Sequence, residues 1–233
     1  MTPLRRICIS VRAESQEEAL ARVQKAQVYK PLLVEVRLDY MAPSEAKLAA
    51  RRAAGKHSNI LLTYRRWLEG GARRMAEEER AKLLLELIEA KPMAVDIELH
   101  TLEERRELAD RAREEGVLLV ASWHSSYTPG ARELENIARR ELELAWVAKV
   151  VPRAGRAADN LEVLKLYRRV AGRLVAFCSG SMGVLSRVLC LMAGAPYTYV
   201  CLPGEATAEG QLTAGELIEL MEAAGVEGFL LDR

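Results

Sequence analysis

Met93-Ala94-Val95-Asp96-Ile97-Glu98-Leu99, followed by Thr101-Leu102-Glu103-Glu104, Gly116 and then Leu118-Leu119-Val120-Ala121-Ser122-Trp123-His124, reads as strand, helix and strand in succession. The two outer runs are short, apolar and β-rich. Thr101 with Glu104 has the spacing of a capping box at a helix start, and Gly116 fits the left-handed residue beyond a helix end. The alternation extends in both directions. Strand candidates are Ile7–Val11, Leu32–Asp39, Ile60–Arg65, Met93–Leu99, Leu118–His124, Trp146–Val151, Leu174–Ser179 and Tyr197–Leu202, with amphipathic runs between them. Leu83, Leu84, Leu87 and Ile88 make one apolar stripe at helical spacing. Ser15 with Glu18 and Thr213 with Glu216 repeat the capping pattern. Eight alternations in 233 residues predict an α/β fold, a (β/α)8 TIM barrel forming one domain over residues 1–233, in preference to a doubly wound open sheet.

Composition narrows the function classes. Half the residues are hydrophobic, 29% are charged, and the net charge is +1, so there is no electrostatic case for a nucleic-acid or membrane-surface partner. No apolar run approaches the ~20 residues of a membrane span. Met1-Thr2-Pro3-Leu4-Arg5-Arg6 leads directly into a strand-like run and lacks the apolar core of a secretory leader, so the expected location is cytoplasmic. Cys8, Cys178, Cys190 and Cys201 form no C-x-x-C pair and are expected to be buried reduced thiols, with no metal site. Scarce Asn and Gln beside abundant Glu, Arg and Leu lean toward a thermophilic source.

A barrel carries its chemistry at the C-terminal ends of its strands. In Val34-Glu35-Val36-Arg37-Leu38-Asp39 the period of two sends Glu35, Arg37 and Asp39 to one face and the apolar residues to the other. In a closed parallel barrel the apolar set meets the outer helices, so the charged set points inward, where an isolated charge is costly. Asp96 and Glu98 repeat the pattern. With Arg65, His124 and Lys149, the interior gathers more ionisable groups than a structural network needs, which points to a catalytic pocket.

Lys149 is the most informative of them: one lysine inside the apolar run Trp146-Val147-Ala148-Lys149-Val150-Val151. A lysine is almost never fully buried without a reason, and a buried amine is a nucleophile that forms imines with carbonyl substrates. Snorkelling at a strand end is the competing explanation. His124 ends the preceding strand and adds proton transfer. After the seventh strand, Ser179-Gly180-Ser181-Met182-Gly183 makes a turn suited to an anion, and Arg187 on the following helix offers a fork for a carboxylate. Pro203–Gln211 is a long polar loop able to act as a lid.

Taken together these residues resemble type I 3-dehydroquinate dehydratase, the Schiff-base enzyme of the shikimate pathway, across essentially the whole chain. The most specific stretch is Asp96-Ile97-Glu98-Leu99 with Leu119–His124. Glu35-x-Arg37-x-Asp39, Arg65 with Glu69-Gly70-Gly71, Met182-Gly183 with Ser186-Arg187, and Gly210-Gln211 follow in family order. The resemblance implies that Lys149 forms the imine, His124 is the general acid/base and Glu69 orients the histidine. It implies that Arg187 clamps a carboxylate, and that Ser10, Glu35, Arg37, Arg65, Thr207 and Gln211 hold the ring hydroxyls and carboxylate. Trp123, Ser125, Thr207 and Glu209 depart from the family's usual residues; Thr207 keeps the hydroxyl of the usual serine, and Glu209 replaces a common proline.

The implied reaction is dehydration of 3-dehydroquinate to 3-dehydroshikimate by a homodimer, without metal or organic cofactor. Arg37 and Arg65 are expected beside the amine, opposing its protonation by like-charge repulsion. The alternatives are a class I aldolase or transaldolase-like lyase acting on a sugar phosphate, and a catalytically silent barrel.

Overall fold

The structure is a computed structural model that describes residues 5–231. Met1-Thr2-Pro3-Leu4, part of the stretch read for a leader, and residues 232–233 of the expected domain lie outside the described residues.

Strands and helices alternate along the chain. The order is β1 (Arg5–Arg12), α1 (Gln16–Gln27), β2 (Pro31–Arg37), α2 (Pro43–Lys56), β3 (Ile60–Thr63), α3 (Glu77–Glu89) and β4 (Ala94–Glu98). Then come α4 (Leu99–Glu104), α5 (Arg106–Glu114), β5 (Leu118–Ser125), α6 (Ala131–Leu144), β6 (Val147–Pro152), α7 (Asp159–Leu164) and α8 (Leu166–Arg169). The last are β7 (Leu174–Ala176), α9 (Val184–Ala193), β8 (Thr198–Cys201) and α10 (Ala214–Ala223). All strand pairs are parallel, in the order β7-β6-β5-β4-β3-β2-β1-β8. This is the expected (β/α)8 barrel with one seam: among the described residues no ladder joins β7 to β8.

The strands are β-branched and aliphatic runs whose outward residues meet apolar helix stripes. Leu83, Leu84, Leu87 and Ile88 are buried on α3 as their spacing requires. One apolar cluster runs through all eight strands, with helices from α1 to α5 and α9 and α10; a second, with Leu134, Ile137, Val150, Val163 and Leu166, packs α6–α8 against β6 and β7. The four cysteines are buried and free. No helix among the described residues is long and apolar enough to cross a membrane.

Four local readings differ. The alternation of the second strand stops at Arg37; Leu38–Tyr40 is a single 3-10 turn, yet Asp39 remains buried because it caps Arg37. Thr101 does not cap a helix. Glu98 leads directly into α4 with no loop, and the buried Thr101 hydroxyl donates to Glu77 (2.7 Å) and accepts from Arg80. A buried ionic partner outweighs a local cap here. The helix expected from Thr101 to Gly116 is two helices broken at Arg105, and Gly116 ends the second with φ +70°. At Ser15 the hydroxyl accepts from Glu18 N–H, but the Glu18 carboxylate reaches Glu14 N–H, so the box is half formed. At Thr213 it is complete.

Candidate active site

Strand register builds the site. Arg37, Thr63 and Asp96 lie side by side on β2, β3 and β4; one step higher Glu98, Ser122 and Lys149 do the same on β4, β5 and β6. Neighbouring strands thus deliver inward polar residues to two adjacent levels of the barrel. Arg37 and Lys149 line a cavity of about 450 Å³ at the C-terminal ends of the strands, which also holds Ser10, Glu35, Arg65, Glu69, His124, Arg187, Thr207 and Gln211; Thr63, Asp96, Glu98 and Ser122 do not line it but hydrogen-bond to Glu35, Lys149 and Arg65, which do. Every residue expected in the site from the sequence lines this one cavity.

Lys149 is buried on β6. Its Nζ donates to Asp96 Oδ2 at 2.8 Å, lies 3.7 Å from Glu35 Oε1, and rests 4.1 Å from the Tyr199 ring centroid. The charges beside the amine are therefore carboxylates, a correction to the expected arginines: Arg65 reaches Lys149 only through Asp96, which both bind. Arg65 Nη2 donates to Asp96 (2.8 Å), and its Nη1 donates to Glu98 (2.9 Å) and Ser122 (2.6 Å). Glu98 also pairs with Arg80 of α3 at 2.8 Å. Burial alone would raise Asp96; Arg65 and Lys149 overcome it and hold the carboxyl below the usual range. Glu35 accepts from Ser10 (2.6 Å) and Thr63 (2.8 Å). Arg37 is bidentate on Asp39 at 2.8 and 2.9 Å.

Beside this network sits the His124–Glu69 pair. His124 ends β5 with its ring half-buried in the mouth. Burial, then the charges of Arg65 and Lys149, push its pKa well below the ordinary value, so the imidazole is neutral at neutral pH and able to accept a proton. Glu69 Oε2 accepts the His124 backbone N–H at 3.0 Å and lies 3.4 Å from Nδ1. Its carboxyl is pushed up to about 7, by burial first and by Glu98 second. Gly71 fixes the loop that carries it: a Cβ there would meet the Arg65 carbonyl oxygen at 2.2 Å.

The opposite side is different. Arg187 reaches inward from α9, is 3% exposed, and makes no ion pair among the described residues; its Nε has no hydrogen-bond partner. Burial lowers its pKa to about 10. Its guanidinium carbon lies 4.5 Å from the Phe177 ring centroid. A buried fork without an acid is a receptor for one.

The lid residues meet the anion-type turn. Gly180 N–H donates to the Glu209 carbonyl (3.1 Å), Ser181 N–H donates to the Glu209 carboxylate (3.3 Å), and Arg153 pairs with the same carboxylate. Gly210 is needed there: φ is +75°, and a Cβ would stand 2.3 Å from the Gly180 oxygen. The turn expected to bind an anion holds one from its own chain. Gln211 Oε1 accepts from the Thr207 N–H (2.9 Å) and hydroxyl (3.0 Å).

The sequence reading did not place Ser122, Phe177, Arg153 or Tyr199 in the site, and treated Asp96 only as an interior charge. Ser122 and Tyr199 were findable by inward alternation, two residues from His124 and Cys201. Phe177 lies inside the expected strand Leu174–Ser179, on the face of Val175, which is level with Lys149, so the same alternation could have found it; Arg153 lies beyond the expected strand Trp146–Val151 and carries no such signal.

A family model described as Type I 3-dehydroquinase matches residues 7–227. A 3-dehydroquinate dehydratase of Thermococcus gammatolerans is 36% identical over 211 residues, covering 90% of this chain and 94% of that protein. Another, from Dehalococcoides mccartyi, is 31% identical over 224 residues, 95% of this chain and 96% of that one. The crystal structure of the type I 3-dehydroquinate dehydratase from Clostridium difficile shares the fold with a TM-score of 0.84 at 20% identity, over 95% of this chain and 92% of that one. The matches run through every strand of the barrel and every residue of the cavity, and the chain belongs to the type I 3-dehydroquinase family.

Proposed function

We propose that the protein is a 3-dehydroquinate dehydratase, acting in the shikimate pathway, that converts 3-dehydroquinate to 3-dehydroshikimate through an imine on Lys149. The observation that carries this reading is Arg187, a buried guanidinium without an acid, facing the same cavity as Lys149 and His124. Such a pocket suits a carbonyl compound that brings its own carboxylate.

Lys149 Nζ adds to the ring ketone, and loss of water from the carbinolamine leaves an iminium. The cationic C=N acidifies the neighbouring C–H. Neutral His124 takes that proton, giving an enamine. The enamine expels the β-hydroxyl, which leaves as water with the proton returned by His124. A second water hydrolyses the iminium, releases the enone and restores the amine. One water is lost overall. Glu69 holds the histidine, Arg187 the carboxylate, and Ser10, Glu35, Arg37, Arg65, Thr207 and Gln211 surround the hydroxylated ring. The lysine supplies the electron sink, so the scheme uses no cofactor or metal.

The same proposal takes residues 1–233 as one catalytic domain, places the protein in the cytoplasm and gives it a homodimeric state. The outward side of α9 supports the dimer: Leu185, Leu189 and Met192, with Met182 just before them, are exposed without a charged residue among them. Sedimentation showing only monomer at micromolar concentration removes that part.

Borohydride trapping tests the chemistry. Incubation with 3-dehydroquinate and reduction should give one covalent adduct by intact mass, located on the Lys149 peptide and absent from Lys149→Ala. A folded wild-type protein that turns over substrate but yields no adduct overturns the imine.

A further inference from the structure

The segment joining β3 to α3, with the first turn of α3, lines a second groove, of about 560 Å³. Four arginines face it, Arg66, Arg73, Arg74 and Arg80, against two carboxylates, Glu77 and Glu79. The charges are not matched in pairs. Glu77 is committed to Arg80 at 2.8 Å and to the Thr101 hydroxyl at 2.7 Å, and lies 3.6 Å from Arg66. Arg73 and Arg74 meet no acid at ion-pair distance among the described residues. Arg73 donates its Nε to the Met41 carbonyl, and the Arg74 guanidinium carbon lies 5.3 Å from the Trp67 ring centroid. Trp67 and Leu68 are exposed beside them. Two unclaimed forks next to a bare indole combine local positive charge with apolar surface, in a chain whose net charge is only +1.

This groove shares a wall with the catalytic cavity. Leu68 lines both, and Glu69 beside it belongs to the cavity. Trp67–Glu69 is a single 3-10 turn, and the Arg66 carbonyl accepts from the Glu69 and Gly71 N–H groups, each at 3.0 Å. The turn is thereby tied into one piece. A shift of Trp67 is carried to Glu69, which accepts the His124 backbone N–H.

We propose that this groove binds aromatic carboxylates, the acid on the Arg73 and Arg74 forks and the ring against Trp67, and that occupancy lowers turnover by displacing Glu69 from His124. A guanidinium fork matches a carboxylate with two parallel hydrogen bonds. An indole adds contact area that a bare ion cannot use, and the groove is far larger than an inorganic ion. The effect on turnover rests on the dehydratase reading above; the binding does not.

The test uses the full chain labelled with 5-fluorotryptophan, in which the Trp67 fluorine resonance is identified by its loss in Trp67→Phe. The probe is 1-naphthoate, with 1-naphthalenemethanol and inorganic phosphate as its neutral and ring-free counterparts. Naphthoate should move the Trp67 resonance saturably in wild type and equally in Arg187→Met, which removes the free fork of the catalytic cavity. Arg74→Glu, and separately the exchange of naphthoate for naphthalenemethanol, should each weaken binding about tenfold or more, the scale of one charged hydrogen bond. A response that vanishes in Arg187→Met puts the ligand in the catalytic cavity and overturns the groove. Naphthalenemethanol or phosphate binding as tightly as naphthoate overturns the ligand class. With 3-dehydroquinate saturating, naphthoate should lower kcat roughly fivefold in wild type and leave kcat of Arg74→Glu unmoved at the same concentration. Naphthoate that binds at Trp67 but leaves kcat alone, or raises only KM, overturns the link to Glu69. A wild type with no turnover of 3-dehydroquinate counts against the dehydratase reading, while the Trp67 resonance still decides the groove.

Discussion

The two sides of this cavity solve the burial of charge in opposite ways. On the β1–β5 side, Arg37 is matched by Asp39, and Arg65 by Asp96 and Glu98, with Ser10, Thr63 and Ser122 filling the remaining acceptor and donor positions. On the β7–β8 side, Arg187 is buried against an aromatic ring with no acid partner among the described residues. A satisfied network is rigid and needs nothing from solution; an unsatisfied cation is a standing cost that a ligand relieves. Scaffold and receptor are thus separated within one pocket, and Lys149 sits between them, paired on one side and on an aromatic face on the other.

The largest effect should come from breaking the satisfied side. Arg65→Met leaves Asp96 and Glu98 buried without their main partner. Loss of one member of a buried pair costs about 3–5 kcal/mol, and a Tm drop of roughly 10 °C or more is expected by calorimetry. The same replacement on the other side, Arg187→Met, should leave Tm unchanged or raise it, while KM for 3-dehydroquinate rises roughly 10- to 100-fold. Equal thermal losses in both variants would erase the contrast.

Proton transfer gives the next effect. Because burial, Arg65 and Lys149 depress His124, its neutral form persists below the ordinary histidine pKa. The acid limb of kcat/KM assigned to this group should therefore fall below pH 6.5, with activity nearly flat from pH 8 to 6.5 in the Glu69→Gln background, where the neighbouring carboxyl no longer titrates. His124→Ala should lower kcat by about 10²- to 10⁴-fold across that range. A wild-type limb centred above pH 7 contradicts the depressed histidine.

The smallest effect concerns Glu69. It takes up its proton at about 7 in the folded chain, against about 4.3 unfolded. As pH rises between those values the unfolded chain ionises first, so folding loses stability through that window and does not regain it above. Glu69→Gln removes the titration. Its Tm relative to wild type should rise between pH 5 and pH 8 by roughly 2–4 °C per kcal/mol relieved, while turnover falls. A Tm difference that stays constant with pH removes the elevated carboxyl from the account.

The barrel was legible because its signal is periodic. Eight apolar runs, the stripe on α3 and inward Glu35, Arg37 and Asp96 follow from period alone, and Lys149 from standing by itself in an apolar run. What escaped was pairing. A period of two places Arg65 and Lys149 on the inner face but does not say that Asp96 stands between them, because that depends on the register of four strands. Thr101 shows the same limit: its capping spacing is genuine, yet a half-buried glutamate and a buried arginine from α3 claim its hydroxyl. The residue types that fill the cavity could be named from the chain; the distances that decide which are scaffold and which receptor are tertiary.

Glu209 has a consequence for the company this enzyme keeps. Its carboxylate already occupies Ser181 N–H and Arg153 at the corner where related barrels leave room for a phosphate. A sugar phosphate arriving there meets a resident negative charge instead of an empty cradle. On the imine reading, that carboxylate should turn away phosphorylated ketones and aldehydes from the metabolite pool, leaving the Lys149 amine to unphosphorylated acids without touching the amine at all.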